Sequence, residues 1–190
     1  HKSDVGGVVL ALADEGGLRR AAAAIAERLR TLRPDAQLAG YTVQAMVNRP
    51  RAHELIVGVA SDAVFGPVLM FGQGGTAVEV LKDSATALPP LNDRLAQDMI
   101  ARTRVARLLA GYRDGANADT GAIAGVLLAV SQMVCDLPEL IELDINPLLA
   151  DHAGVMALDA RVRLEPSGAR ASDRLAILPY PSQLERRLQI

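Results

Sequence analysis

The segment Glu139–Asp159 constrains this chain more than any other part of it. Ile141, Leu143 and Ile145 alternate with Glu142, Asp144 and Asn146, so a strand here buries an apolar trio on one face and presents three oxygen-bearing side chains on the other. After Pro147-Leu148-Leu149-Ala150 come Asp151-His152-Ala153-Gly154, which read as a four-residue turn with Gly154 free to take positive φ, and then Val155-Met156-Ala157-Leu158-Asp159. A hairpin closed by that turn sets Asn146 directly opposite Asp159, with Cβ atoms about 5 Å apart. Two hard oxygen ligands then converge on one point. Mg²⁺ takes oxygens at about 2.0–2.1 Å, commonly only one or two from protein, and leaves its other positions to water and phosphate. Asn and Asp before a proline also shape turns, but four oxygen side chains in this pattern exceed what a turn requires. A slip of one residue would put Asp159 on the opposite face.

The remaining pattern is that of a mixed α+β chain. Val5–Ala13 reads as a strand with Gly6-Gly7 allowing a bulge or a close backbone approach, and Leu18, Ala22, Ile25, Leu29 and Leu32 form one stripe of a helix that Pro34 stops. Leu38–Val47 and Glu54–Ala60 read as strands around Asn48-Arg49-Pro50-Arg51, and Val68–Phe71 as a short buried strand. Gly72-Gln73-Gly74-Gly75 is either a turn whose amides gather around phosphate oxygens or a plain hairpin turn. Val78–Lys82 looks extended. Leu91–Ala110 is helical with a break near Thr103, and Asp119–Asp136 is a helix with its stripe at Ile123, Val126, Leu127, Val130 and Val134, ended by Pro138. Glu165-Pro166-Ser167-Gly168 reads as a domain exit and Leu178-Pro179-Tyr180-Pro181 as a stiff linker.

Composition narrows the function. With 190 residues, half of them apolar, the chain can bury a real core. Twenty basic against 22 acidic residues, without long runs of one sign, and no Trp, argue against nucleic acid or an anionic membrane surface as partner. The longest apolar-rich stretch, Ile123–Val134, is too short to span a bilayer. The single Cys135 cannot close an internal disulfide, which fits a reducing cytoplasm, and its place in a helical pattern suggests a buried, inert thiol. The chain starts at His1 rather than Met, which suggests a piece of a longer protein.

Five blocks in one order, His1-Lys2-Ser3-Asp4-Val5-Gly6-Gly7-Val8, Val43-Gln44-Ala45-Met46-Val47, Phe65–Gly75, Glu142–Leu148 and Leu158-Asp159-Ala160-Arg161, resemble the ATP-grasp domain of NDP-forming acyl-CoA synthetases, with succinyl-CoA synthetase β subunits as more distant relatives. The resemblance implies an α+β ATP-grasp fold lacking the N-terminal part of its first lobe, with 1–47 the remainder of the lid lobe, 48–164 the large lobe and 165–190 a tail leading to a following domain. It implies that acid, CoA and ATP interconvert with acyl-CoA, ADP and phosphate through an acyl phosphate and a phosphohistidine, an activity of the full-length ligase and not of this piece alone. By matching position, Asn146 and Asp159 are the Mg²⁺ ligands. Gln44, Ala45, Met46 and Val47 form the hinge at the adenine edge, and Glu54 lies beside the ATP or ADP. Lys2, Gly6 and Gly7, with Gly74 and Gly75, stand beside the phosphates, and His1 resembles a phosphate shuttle. The implied partner is a CoA-binding ligase domain of the same protein or of another subunit. Arg174–Pro181 also resembles the junction to a GNAT-type acetyltransferase, in whose fusions such a region senses ligands instead of catalysing.

Overall fold

The computed structural model describes residues 5–75, 83–111, 116–168 and 170–178, and the chain divides into two compact units, His1–Asn48 and Arg49–Ile190. The expected extended stretch Val78–Lys82 lies outside the described residues.

The first unit is built on helix α1, Glu15–Leu32. Asp14 caps it by accepting the Gly17 N–H at 2.6 Å, and the Arg33 N–H closes the last turn on the Leu29 carbonyl at 2.8 Å before Pro34 ends the helix. Neither strand expected in this unit is present, because a strand requires a hydrogen-bonded neighbour and neither Val5–Ala13 nor Leu38–Val47 joins a ladder. Both stretches are tied to α1 by single bonds instead. The Arg28 guanidinium donates to the Gly6 carbonyl at 2.9 Å, and the Tyr41 hydroxyl donates to the Ala22 carbonyl at 2.8 Å.

The second unit is a six-stranded antiparallel sheet with helices on one face. Its strands are β1 (His53–Asp62), β2 (Gly66–Gln73), β3 (Ser84–Ala87), β4 (Leu140–Asp151), β5 (Gly154–Ala157) and β6 (Ala160–Leu164). The order is β3-β2-β1-β4-β5, and β6 pairs with β4 beside β5. β1 lies between β2 and β4 and carries the unbroken buried run Leu55–Val59. The helices are α2 (Asp93–Ala101), α3 (Ala106–Leu109) and α4 (Thr120–Asp136). Asn92 caps α2 and Asp119 caps α4, each accepting an N–H three residues on. The expected break falls at Thr103, whose buried hydroxyl turns back to the Ile100 carbonyl at 2.7 Å. The α4 stripe Ile123, Leu127, Val130 and Val134 packs with Met99 and Ile100 of α2 onto Leu55, Val57, Val59, Leu69 and Phe71 of the sheet. Val126 is only partly buried, and so is Cys135, whose thiol burial pushes upward in pKa. Among the described residues no helix is long and apolar enough to cross a membrane.

β4 departs from the simple alternation expected of it. Leu140 and Leu143 are buried while Ile141 is only half-buried, because the ladder to β6 slips between Leu140 and Glu142. This bulge lets two residues three apart face the same core.

After β6 the chain leaves the sheet over residues 165–168 but returns in a short 3₁₀ turn, Ala171–Arg174. Leu175 enters the core, and the Arg174 guanidinium donates to the carbonyls of Val134, Leu137, Pro138 and Leu140 at 2.6–3.2 Å. A cation there satisfies the orphan carbonyls at the C-terminal end of α4 and opposes its dipole. Arg174→Met should lower the unfolding free energy in urea by about 1.5–3 kcal/mol with little change in slope. A loss below about 0.5 kcal/mol would mean that Leu175 alone holds this segment.

Candidate active site

The register of the β4–β5–β6 region decides whether the proposed ligands meet. Leu148 pairs with Ala157 and Asp151 with Gly154 on one side, and Ile145 pairs with Ala160 on the other. Between these pairs the Asn146 N–H donates to the Asp159 carbonyl at 3.2 Å and the Leu158 N–H to the Pro147 carbonyl at 3.0 Å. Asn146 therefore stands opposite Asp159, in the register read from the sequence. The turn is tighter than the expected four residues: Asp151 and Gly154 are already paired, leaving only His152-Ala153, and Gly154 has φ +107°.

A second bulge, which the alternation did not reveal, lies at Asn146 itself. Leu55 pairs with Leu148 and Val57 with Ile145, so Asn146 and Pro147 together oppose Ile56 of β1. Across the strand from this bulge the partner breaks at Leu158-Asp159, between β5 and β6. Pro147 was the available signal, since proline has no N–H to give to a ladder and is found in sheets at edges and bulges.

Alternation assigns the faces. Leu55, Val57, Leu143 and Leu148 belong to the core, so Glu54, Asp144 and Asn146 lie on the opposite face. Glu54 and Asn146 are on adjacent strands, two residues apart along the sheet, which is about 7 Å of strand rise. Asn146 and Asp159 are both half-buried. Burial holds the Asp144 carboxyl above its usual range; neighbouring Arg161 offsets this in part and the Asp159 charge adds to it.

On the other side of β1, Glu54 meets the glycine-rich turn. The Gly74 N–H donates to the Glu54 carbonyl at 2.8 Å. A Cβ on Gly74 would sit 2.6 Å from the Leu55 carbonyl oxygen, and one on Gly75, whose φ is +72°, only 2.2 Å from a Glu54 carboxylate oxygen. Side chains at these two positions would collide, so the turn runs against Glu54 and Leu55 with backbone alone. Ala52, His53, Glu54, Gln73, Gly74 and Gly75 line an open depression of about 330 Å³, walled on its other side by Val105 and Leu108.

The far end of the hairpin is anchored. Arg49 donates to a carboxylate oxygen of Asp151 at 3.3 Å and to the Gly154 carbonyl at 3.2 Å, while the Asp119 N–H donates to the Asp151 carbonyl at 2.9 Å. Sequence reading missed this clamp, in which Arg49 reaches residues more than a hundred positions away.

The other predicted site residues fall in the first unit or outside the described chain. Gly6 and Gly7 precede α1, with the Gly6 carbonyl held by Arg28. Gln44, Ala45 and Met46 are exposed and Val47 half-buried on an unpaired stretch. His1 and Lys2 lie outside the described residues.

These residues can be tested for fit to a metal. Among the described residues no group of three or more His, Cys, Asp or Glu could hold an ion by itself. An Asn–Asp pair open to solvent suits Mg²⁺ that keeps water and phosphate ligands, and a neighbouring carboxylate supplies further negative charge.

Comparison with known proteins agrees with this geometry. Residues 1–164 match the ATP-grasp domain family. The chain is 42% identical to acetate–CoA ligase (ADP-forming) I of Archaeoglobus fulgidus, over 86% of this chain and 24% of that one. It is 37% identical to the β subunit of acetate–CoA ligase (ADP-forming) I of Pyrococcus furiosus, over 86% of this chain and 70% of the subunit. It thus spans about a quarter of the single-chain ligase and most of the separate subunit. Among solved structures, the acetyl-coenzyme A synthetase 1 of Candidatus Korarchaeum cryptofilum in complex with coenzyme A and Ca-AMPCP superposes with a TM-score of 0.80 at 35% identity, covering 86% of this chain and 70% of that one. The same enzyme with coenzyme A and Mg-AMPPCP gives 0.73 at 34% identity, covering 87% and 71%. The hairpin register, the backbone-only glycine turn and these likenesses agree: the chain belongs to the ATP-grasp family, in its branch of ADP-forming acyl-CoA synthetases.

Proposed function

We propose that this chain supplies the Mg–ATP/ADP site of an ADP-forming acyl-CoA synthetase, which converts acid, CoA and ATP to acyl-CoA, ADP and phosphate. The observation that carries the reading is the placement of Asn146 opposite Asp159, on the same face as Glu54 and one strand away. On this reading the first unit is the remainder of the lid lobe, contributing Gln44–Val47 to the adenine edge, and the second is the large lobe. A CoA-binding ligase part, on the same polypeptide or a separate subunit, completes the enzyme.

The residues divide the work. Asn146 and Asp159 would hold Mg²⁺, which would supply positive charge to neutralise the nucleotide phosphates. The Gly74-Gly75 turn approaches the nucleotide with backbone alone, and Glu54 orients it from the floor of the depression. Lys2, Gly6 and Gly7 bind phosphoryl oxygens. His1 is the phosphoryl acceptor: its neutral imidazole nitrogen forms a P–N bond as a P–O bond breaks, and returns the group in the reverse step.

In the full-length gene product, Asp159→Asn should weaken Mg–ADP binding by at least about tenfold, or 1.4 kcal/mol. Unchanged affinity by calorimetry would remove Asp159 from the metal site. Glu54→Gln should shift nucleotide affinity while altering stability by no more than about 0.5 kcal/mol; a pure loss of stability would make Glu54 structural.

Asp144→Asn separates binding from folding. It removes a half-buried negative charge beside Asp159, so without metal the variant should melt at pH 7 no lower than wild type. A clearly lower melting temperature would show that the Arg161 attraction outweighs burial and repulsion.

A further inference from the structure

We propose that Asp83 is a positioning residue of the nucleotide site, fixing the separation between the two walls of the depression beside Glu54. The inference rests on the Mg-nucleotide reading above.

One wall is the Gln73–Gly75 turn and the other carries Val105 and Leu108. Asp83 bonds to both. Its backbone carbonyl accepts the Gln73 N–H at 3.1 Å, and its two carboxylate oxygens accept the N–H groups of Arg104 and Val105 at 2.7 and 2.8 Å. The approach is close: a Cβ on Gly72 would stand 2.2 Å from the Asp83 carbonyl oxygen.

The second wall lacks a local means of holding itself. Val105, at the N-cap of α3, makes no side-chain cap bond, and α3 is only four residues long. The amides of Arg104 and Val105, which lead into α3, would be orphaned without Asp83, 21 and 22 positions upstream. Charge-assisted bonds to two amides are stronger and shorter than neutral ones, so one carboxylate sets both the position and the orientation of this turn. The break before α3 is braced from the same side, where the Arg102 guanidinium donates to the Thr86 carbonyl of β3 at 2.9 Å. Asp83 touches no residue assigned to nucleotide or metal through its side chain, so its effect on binding is indirect.

The test uses Asp83→Ala and Asp83→Asn in the full-length gene product, with Mg–ADP as the calorimetric probe and amide hydrogen exchange measured without nucleotide. Alanine should weaken Mg–ADP by about tenfold or more, as loss of orienting partners commonly does. Asparagine keeps one carboxylate-like oxygen and should fall between alanine and wild type. Exchange should quicken at Arg104 and Val105, whose amides the carboxylate holds. A merely structural role would lower the melting temperature of the folded variants but leave the dissociation constant within about twofold of wild type, and that result overturns the proposal. So does wild-type exchange at those amides. If alanine does not fold, the asparagine variant decides by the same two readouts. If Asp159→Asn loses Mg–ADP while the Asp83 variants keep it, the nucleotide reading stands and only this inference falls; if wild type itself does not bind Mg–ADP, both fall.

Discussion

The bulge at Asn146-Pro147 against Ile56 is the constraint on which the site depends. Between the two bulges Leu143 and Ile145 face the helices; after the second, Leu148 and Ala150 do. The extra residue changes the phase of the strand, so Asn146 points away from the core without turning the following residues out of it. Sliding the pairing by one would expose Leu148, whose burial is worth about 1.5–3 kcal/mol, and would move Asn146 off Asp159 at the same time. Core packing therefore enforces the placement of Asn146 opposite Asp159. Arg49 and Asp119 hold the hairpin tip in the same register from outside.

Electrostatics at this face oppose folding and favour binding. Asp144 and Asp159 repel each other in a half-buried setting, and Arg161 compensates only in part. A divalent cation would relieve that repulsion, so on the proposed reading the metal stabilises the folded unit as well as the nucleotide phosphates. The glycine turn is arranged on the same principle. Gly75 adopts a conformation that side chains rarely take, packed against the Glu54 carboxylate where no Cβ fits.

Much of this was legible in the sequence because it depends on short-range rules. The stops at Pro34 and Pro138 and the Thr103 break follow from local chemistry, and the hairpin register follows from counting between Asn146 and Asp159. What was hidden is long-range or phase-dependent. Two bulges in β4 cannot be seen in an alternation that looks continuous, although Pro147 hinted at one. The Arg49–Asp151 clamp, the Arg174 cap and the side-chain bonds of Asp83 join residues 21 to 102 positions apart, a distance no local pattern spans. The strands expected at Val5–Ala13 and Leu38–Val47 had the right composition, but composition cannot provide the neighbouring strand that a ladder needs.

The central claim, that the hairpin register makes Asn146 and Asp159 a shared metal site, is tested most directly by anomalous diffraction from crystals of the full-length gene product grown with Mn²⁺–ADP. The account predicts one anomalous peak within direct coordination distance of a side-chain oxygen of both residues and of the nucleotide phosphates. A peak bound to neither residue, with nucleotide in place, would contradict it.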